Sequence, residues 1–432
     1  MAQRPIIKDA LIALSIAIAV LIVAEIALRI GGDYASNQTL AANGEKEPAY
    51  QHHPIYRVSL KPGLNRSFIR VDQGETIVTQ WSTNSRSFRG SEFRSDKPAL
   101  RVLVYGDSNV FAQFSNLEDT FPFKLQEFLR QMTQVDVEVI NAGVPGFGPD
   151  QSLLRLEQEV DLIQPDIVLF HIFADNDFGD LIRNRLFAVD DSGRIVRTSP
   201  DQRADPCLEN SASCVKDLSA NVVLKFLRSL AVVESSRNLV RRIPFLSQFA
   251  DPSASSSIGY YLKLCEAEYR LFKQPASLRS SHFADHYDYD LALNPTGESA
   301  RTKVTLMRGI LRLAKQLTAA KQVQLLVTVQ PSPTDLTTYM HPNFMDFGGF
   351  PGYQKDRLST IVEEAARAEE IDVINLFDLF SGHVPDQLFY TNDDHWNEAG
   401  QELAAQAVAT YIRGSYISVG RRQLHTVSRI TP

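Results

Sequence analysis

Residues 102–108, VLVYGDS, place a serine just beyond a short apolar run. The run is typical of a buried β-strand, so Ser108 would lie past the carboxyl end of that strand. Open parallel sheets bind their ligands at this edge. The stretch therefore predicts a strand of a parallel sheet with a nucleophilic serine at its ligand-binding edge.

Four further apolar runs follow, and helical patterns alternate with them. The predicted strands lie at 137–143, 166–173, 323–331 and 372–377. Apolar residues recur at helical spacing at 121–132, 149–163, 305–320, 358–370 and 398–412. Strands that alternate with helices form a parallel sheet covered on both faces. The sequence thus predicts a three-layer α/β/α fold.

Composition places the chain among ordinary globular proteins. Its 432 residues, 44% of them hydrophobic, suffice for one large α/β domain with additions or for two smaller domains. The net charge is -7, and no dense run of Lys and Arg stands out to neutralise a phosphate backbone. We therefore expect no nucleic-acid partner.

The N-terminal segment predicts attachment to a membrane. Residues 10–30 are long enough to span a bilayer and apolar apart from Ser15, Glu25 and Arg29. Arg4 and Lys8 precede them, which favours a cytoplasmic N-terminus. We expect a single-pass anchor in a bacterial inner membrane, with the catalytic domain on the periplasmic or extracytoplasmic side. A cleaved signal peptide is the alternative, although no small-x-small cleavage site follows cleanly.

Five segments are predicted along the chain. They are a cytoplasmic tip and anchor (1–32), a connector and N-terminal extension (33–95), an α/β catalytic domain (96–180 and 300–415), an insertion (181–299) and a C-terminal tail (416–432). The insertion could form a lid or substrate wall, or could only stabilise the fold. Within it, Cys207 and Cys214 are either disulfide-bonded or two free thiols, and Cys265 is expected to be buried.

A serine nucleophile needs a base, and His395 is the best candidate. It lies in YTNDDHWNEAG (390–400), between the last predicted strand and the last predicted helix, so the sheet could return it to the edge that carries Ser108. Asp393, two residues earlier, could reach the imidazole if the loop bends. It would then orient His395 and stabilise its protonated form. Asp394 is expected to point elsewhere.

Acyl transfer also needs hydrogen-bond donors for the developing oxyanion. NAGVPGFG (141–148) follows the second strand and ADND (174–177) follows the third. Gly143 and Asn176 are the donors that these loops predict, together with the backbone N–H of Ser108.

At these positions the chain resembles the SGNH (GDSL-type) hydrolase family, in particular its membrane-anchored bacterial members. The motifs occur in the family's order: GDS at 106–108, the glycine of NAG at 143, Asn-Asp at 176–177 and a C-terminal Asp/His pair. The resemblance covers about residues 101–180 and 300–413. It implies a flavodoxin-like sheet, with Ser108 as nucleophile, Gly143 and Asn176 as oxyanion donors, His395 as base and Asp107 in a structural role.

The chain departs from the family pattern at the acid. The family's acid stands three residues before the histidine, where this chain has Asn392, so Asp393 must serve instead. Asp393, His395 and the following tryptophan are similar to the DxHW motif of the alginate O-acetyltransferase-like branch, which implies carbohydrate acyl chemistry and exopolysaccharide biosynthesis proteins as partners. NSRSFRG (84–90) is similar to an NSxGFRG segment of anchored members, with Ser87 in place of glycine.

Each candidate has a structural alternative. Ser108 alone could cap a helix, Asp393 and Asp394 could be acids at a helix start, and Asn176 could close a turn. His282 and His286 share a helical face in SHFADHYDYD (281–290), but no further ligand set accompanies them, so a solvated loop is favoured over a metal site. We expect no metal and no cofactor.

Three functions follow from these observations. The favoured one is a serine esterase that acts on acyl esters, O-acetyl above all, of an envelope or exported polysaccharide. The second is an O-acyltransferase with the same acyl-enzyme, in which a sugar hydroxyl replaces water. The third is a non-catalytic glycan-binding or scaffold protein with a vestigial triad, which is favoured if Asp393 cannot reach His395.

Overall fold

The computed structural model describes residues 40–42, 49–72, 75–198, 254–273, 288–340, 352–391 and 393–417. All of these except 254–257 belong to one compact unit, formed by Thr39–Asp205 and Ile258–Pro432. The predicted anchor, Cys207 and Cys214, His282 and His286 lie outside the described residues. None of the described helices is both long and apolar enough to cross a bilayer.

A five-stranded parallel sheet forms the centre of this unit. Its strands are β6 (Leu100–Tyr105), β7 (Val137–Asn141), β8 (Ile167–Phe173), β11 (Gln324–Gln330) and β12 (Asp372–Asn375). Their order is β12-β11-β8-β6-β7, and every neighbouring pair is parallel. This is the flavodoxin-like order, in which the direction of winding changes between β6 and β8. The predicted α/β fold is confirmed.

Helices cover both faces of the sheet. In chain order they are α1 (Ser108–Phe111), α2 (Phe121–Thr133), α3 (Pro149–Ile163), α4 (Asp177–Asn184), α5 (Ala254–Lys273), α6 (Asp290–Leu293), α7 (Glu298–Ala320), α8 (Pro333–Leu336), α9 (Arg357–Ala368), α10 (Phe377–Ser381) and α11 (Glu398–Ile412). Short 3-10 turns lie at Leu117–Asp119 and Pro385–Gln387, and Arg413–Ile417 forms a π-helical turn.

Alternate residues of the strands point into two separate cores. Leu103 and Tyr105 pack in a core with α3, α7 and α9. Val102 and Val104 pack in a second core with α2 and α11. Because successive strand residues face opposite sides of a sheet, this alternation produces the three layers.

Five further strands precede the parallel sheet, in a region predicted only as connector and extension. They are β1 (Leu40–Ala42), β2 (Tyr50–His53), β3 (Arg57–Leu60), β4 (Asn65–Asp72) and β5 (Glu75–Ser82). β4 pairs with β1 and with β5, and β2 pairs with β3, all antiparallel. The sequence signal for the longest pair was present, since two β-prone runs lie on either side of Gln-Gly at 73–74.

The predicted insertion is described only in part. After α4 it forms the small hairpin β9 (Phe187–Val189) and β10 (Ile195–Arg197), and it continues in α5 and α6. Cys265 is buried on α5, as predicted, and burial raises the pKa of its thiol. Asp288 and Asp290, the last two acids of SHFADHYDYD (281–290), form ion pairs with the buried Lys303 at 2.9 and 2.8 Å.

Candidate active site

Ser108 begins α1, three residues beyond the end of β6. Asp107 caps the helix, since its Oδ1 accepts a hydrogen bond from the N–H of Asn109 at 2.8 Å. Burial raises the pKa of Asp107 to about 6. Within 101–112, Ser108 is the one residue that is not buried. The turn therefore holds its neighbours in the core and presents the serine at the carboxyl edge of the sheet.

The turn is bonded directly to the loop that carries His395. Asn109 Oδ1 accepts a hydrogen bond from the N–H of Trp396 at 3.2 Å, which joins the residues that follow the serine and the histidine. Trp396 is buried, and the centre of its ring lies 4.9 Å from that of His171 in β8. The structure thus brings the two segments of the predicted site together, although 287 residues separate their ends.

Two carboxylates bind His395. Its Nδ1 lies 2.5 Å from Asp393 Oδ1 and 2.9 Å from Asp394 Oδ1. Asp393 Oδ1 also accepts the N–H of His395 at 2.9 Å, which bends the loop back on itself. The expectation that Asp394 would point elsewhere is wrong, because this bend brings both side chains to the same ring nitrogen.

This arrangement makes His395 a strong base. Burial alone would lower the pKa of the imidazole, but the charges of Asp393 and Asp394 and their hydrogen bonds raise it well above 6.5. Burial alone would raise the pKa of Asp393. The charges and hydrogen bonds of His395 and Arg70 outweigh burial and hold the pKa of Asp393 below the usual range. The two acids therefore favour the protonated form of the imidazole, and the imidazole in turn favours the ionised form of Asp393.

The second ring nitrogen, Nε2, is the atom that would meet the nucleophile. It is buried and makes no hydrogen bond to any described residue, Ser108 included. The ring of His395 packs edge-on against Phe114 at 5.0 Å. Because Nδ1 is held by carboxylates, Nε2 is the nitrogen left to exchange a proton, and hydrogen bonds of this kind often tighten only when substrate binds.

The predicted oxyanion donors differ in what they offer. Asn176 is the N-cap of α4; its side-chain Oδ1 is buried without a hydrogen-bond partner, and no described residue accepts a hydrogen bond from its Nδ2. The N–H of Ser108, in the first helical position of α1, likewise has no intrahelical acceptor. Gly143 donates its N–H to Asn141 Oδ1 at 3.0 Å. The donors of Asn176 and Ser108 are thus open to a ligand, and the N–H of Gly143 is already hydrogen-bonded within the protein.

Gly143 has a steric role that is independent of oxyanion binding. A Cβ at this position would lie 2.5 Å from the backbone nitrogen of Phe111 and 2.9 Å from the carbonyl carbon of Val110. Only glycine therefore allows the loop after β7 to lie against α1.

Sequence reasoning missed several residues that support the site. Arg70 of β4 donates to Asp393 Oδ2 at 2.8 Å. Gln330, at the end of β11, donates to the carbonyl of Asp394 at 3.3 Å and accepts from His171 Nε2 at 3.1 Å. Burial lowers the pKa of His171 to about 4, so this histidine is neutral. A buried histidine inside an apolar run, at 171, was the one available signal.

The β4–β5 hairpin reaches both loops of the site. Thr79 donates to the carbonyl of Gln113 at 3.1 Å, and Asp72 Oδ1 accepts from the N–H of Thr391 at 3.1 Å. The first contact fixes the loop after α1 and the second fixes the loop before His395. The N-terminal extension therefore forms one wall of the site.

Asp393, Asp394 and His395 also form the one group of described side chains whose ligand atoms converge as a metal site would require, within 4.8 Å. Arg70 already pairs with Asp393, and both acids already bind Nδ1. A cation there would compete with the guanidinium and break the acid–base pair.

A separate cavity of about 480 Å³ lies between α4, α5 and α7, and no predicted site residue lines it.

The comparison with known families extends the resemblance seen in the motifs. Residues 290–431 match the family model "SGNH hydrolase-like domain, acetyltransferase AlgX". The matched part holds β11, β12 and the Asp393–His395 loop, and it does not include β6 and Ser108. The predicted SGNH resemblance is confirmed, and with it an enzyme domain that acts on ester bonds as a hydrolase or an acyltransferase.

Solved structures show only a distant likeness. An acetyl xylan esterase, AlAXEase, is 13% identical with a TM-score of 0.34, over 72% of this chain and 100% of that one. A lipase/acylhydrolase from Enterococcus faecalis is 13% identical with a TM-score of 0.35, over 73% and 96%. TesA gives the same identity and TM-score, over 73% and 98%. Such values carry no conclusion about activity. A search of curated protein sequences found no significant match.

Proposed function

We propose that this chain is a serine esterase for acyl esters, O-acetyl above all, of an envelope or exported polysaccharide. The observation that carries the proposal is the geometry of His395. Its Nδ1 is bound to Asp393 and Asp394, and its buried Nε2 has no partner among the described residues. The next residue, Trp396, is hydrogen-bonded to Asn109 in the Ser108 turn.

The chemistry follows from these positions. Nε2 of His395 takes the proton of Ser108 Oγ as the oxygen attacks the ester carbonyl, and the new oxyanion accepts hydrogen bonds from Asn176 and the N–H of Ser108. The tetrahedral intermediate collapses, the carbon–oxygen bond of the leaving sugar breaks, and that oxygen receives the proton from Nε2. Water then gives a proton to Nε2 as it attacks the acyl-enzyme. The bond between the acyl carbon and Ser108 Oγ breaks, Nε2 returns that proton to Oγ, and the acid leaves.

One observation favours the alternative, an O-acyltransferase. The base nitrogen is shielded from solvent, and exclusion of water protects an acyl-enzyme until another acceptor arrives. A sugar hydroxyl would then lose its proton to Nε2 in place of water. The matched family model, which carries the name of an acetyltransferase, supports the same alternative.

The location that fits this role is the outer face of the inner membrane. Residues 10–30 would anchor the chain and place the site among exported polysaccharides and the proteins that build them. An acylated glycan is the substrate that we propose.

The test is hydrolysis of p-nitrophenyl acetate by the purified full-length chain, with and without acetyl-free oligosaccharides as acceptors. We expect Ser108→Ala and His395→Ala to lose at least about a thousandfold in kcat/KM. His383→Ala, which changes an exposed histidine, is the matched control and should behave as the wild type.

The products separate the candidates. Acetate release without acceptor indicates an esterase, and acetylated oligosaccharide indicates a transferase. A folded wild type with neither product, and no labelling of Ser108 by a phosphonate ester, would point to a non-catalytic glycan-binding protein.

A further inference from the structure

Arg70 belongs to the N-terminal antiparallel sheet, outside the segments that resemble a known family. Its side chain is 3% exposed, and its Nη1 lies 2.8 Å from Asp393 Oδ2. The guanidinium packs on two aromatic rings, 4.9 Å from the centre of Phe114 and 4.4 Å from that of Tyr390. Stacking of the planar group on these rings limits it to one orientation.

Asp393 is consequently held from both sides. Oδ2 binds Arg70, and Oδ1 binds the N–H and the Nδ1 of His395. Without the arginine, the carboxylate could turn partway about its last side-chain bond, so that neither oxygen meets both the N–H and the Nδ1 of His395. The ion pair therefore controls the contact on which the base depends.

Charge gives Arg70 a second effect on His395. Two carboxylates bind Nδ1, and together they favour a proton that the imidazole must release before it can act as a base. The guanidinium offsets one of these charges. The remaining ionisable side chains around this cluster are Asp107 on the turn before α1, Asp72 on β4, Glu398 on α11, and the phenols of Tyr339 and Tyr390.

We propose that Arg70 is a positioning residue of this site, which holds Asp393 against His395 and offsets one of the two acids so that the imidazole can give up its proton. The inference rests on the proposed function. It adds a fourth member, supplied by the N-terminal extension, to the serine, histidine and aspartate.

The test uses four variants of the full-length chain: Arg70→Met, Arg70→Lys, Asp394→Asn and the double variant of Arg70→Met with Asp394→Asn. For each we measure kcat and KM for p-nitrophenyl acetate as a function of pH. Arg70→Met should lower kcat about tenfold or more with little change in KM, and should move the acid limb of the profile to higher pH. Removal of a neighbouring positive charge favours the imidazolium, which sets this sign.

The other variants separate charge from orientation. Asp394→Asn should move the acid limb to lower pH, because a negative charge is lost. Arg70→Lys should keep the wild-type limb and recover only part of kcat, since it keeps the charge and loses the stacked planar group. In the double variant the two charge changes offset each other, so the limb should return towards that of the wild type while kcat stays low.

Arg101→Met is the matched control. Arg101 is also buried and paired, 2.7 Å from Glu138, but it lies at the opposite end of β6 from the Ser108 turn. It should cost stability without moving the acid limb. An Arg70→Met profile that coincides with that of Arg101→Met would show that Arg70 only stabilises the fold and would overturn the proposal.

Direct titration of His395 by NMR keeps this test separate from that of the proposed function. His395→Gln assigns the resonance, and the titration needs no substrate. If the wild type proves inactive but the imidazole titrates at higher pH in Arg70→Met and lower pH in Asp394→Asn, the proposed function fails and the role of Arg70 stands. If neither variant moves the titration, the role of Arg70 fails whatever the activity. Should Arg70→Met not fold, Arg70→Lys carries the test of orientation, with a lower kcat expected at an unchanged acid limb, and a wild-type kcat in Arg70→Lys would overturn the positioning role.

Discussion

Ser87 shows how one residue can bear a conformational cost next to the site. Its φ is 65°, in the left-handed region that favours glycine. Its loop is held by Asn84, whose Oδ1 accepts the N–H of Phe88 at 3.0 Å. The same loop presents Arg89 to the carbonyls of Phe111, Ala112 and Ser115, just after the Ser108 helix. The resemblance predicted a glycine at this position, and the dihedral angle supplies the physical reason.

We therefore predict that Ser87→Gly raises the free energy of unfolding by about 1 kcal/mol, because the strain of a side chain at positive φ is removed. Urea unfolding of the two proteins measures the difference. Ser91→Gly, in the same loop at an ordinary φ, is the control and should lower stability instead. Equal effects of the two substitutions would contradict the argument from backbone strain.

At the scale of elements, Gln401 of α11 connects two helix starts. Its Oε1 accepts the N–H of Phe121 at 2.7 Å, at the start of α2, and its Nε2 donates to the carbonyl of Asn109 at 3.1 Å, in α1. The side chain is 1% exposed. One amide thus holds α1, the helix that begins at Ser108, against two helices of the outer layer.

Gln401→Leu should lower stability by about 2–4 kcal/mol, because it keeps the volume of the side chain and leaves one buried donor and one buried acceptor without partners. The same substitution at Gln406, an exposed position of α11, should change stability by less than about 0.5 kcal/mol. Chemical denaturation of both variants checks the pair. A small effect at Gln401 would mean that water replaces the amide.

The sequence predicted the elements of the parallel sheet well, and for a clear reason. Strands buried on both faces are continuous apolar runs, and the helices that cover them carry apolar residues at helical spacing, so 149–163 and 398–412 agree with the observed bounds of α3 and α11. The strands before residue 83 alternate polar and apolar residues over short lengths, which is a weaker signal, and they were missed.

The site was predictable only where a motif names a residue. Ser108 and Asn176 follow the ends of β6 and β8, and His395 lies in the loop before α11, so the topology of the sheet brings all three to one edge. The approach of Asp394 to Nδ1 depends on how a loop bends, and the contact between Arg70 and Asp393 joins residues 323 apart, so no local pattern could show either.

Across the whole described unit, a buried charge cluster joins the insertion to the α/β layers. Lys303 of α7 is 1% exposed and pairs with Asp288 and Asp290. Asp288 Oδ2 also accepts the N–H of Gly179 in α4 at 2.9 Å, three residues after the Asn176 cap. The end of the insertion is therefore tied to the helix that begins at Asn176, the predicted oxyanion donor.

Lys303→Met should cost about 3–5 kcal/mol, because it leaves two carboxylates buried without their cation. Lys321→Met, which removes an exposed ion pair with Asp161, should cost about 1 kcal/mol or less. Thermal and urea unfolding give both values. If the two variants lose the same free energy of unfolding, the buried Lys303 cluster stabilises the fold no more than an exposed ion pair does.

The contacts of the β4–β5 hairpin also bear on engineering. A graft of residues 100–412 into another scaffold would carry the serine, the histidine and both acids in a complete parallel sheet. The graft would lack β4 and β5, which contact the loop after Ser108 and the loop that carries His395. For chimeras, truncations and library design, the transferable module of this chain begins before residue 65, well upstream of the first residue that a motif search would choose.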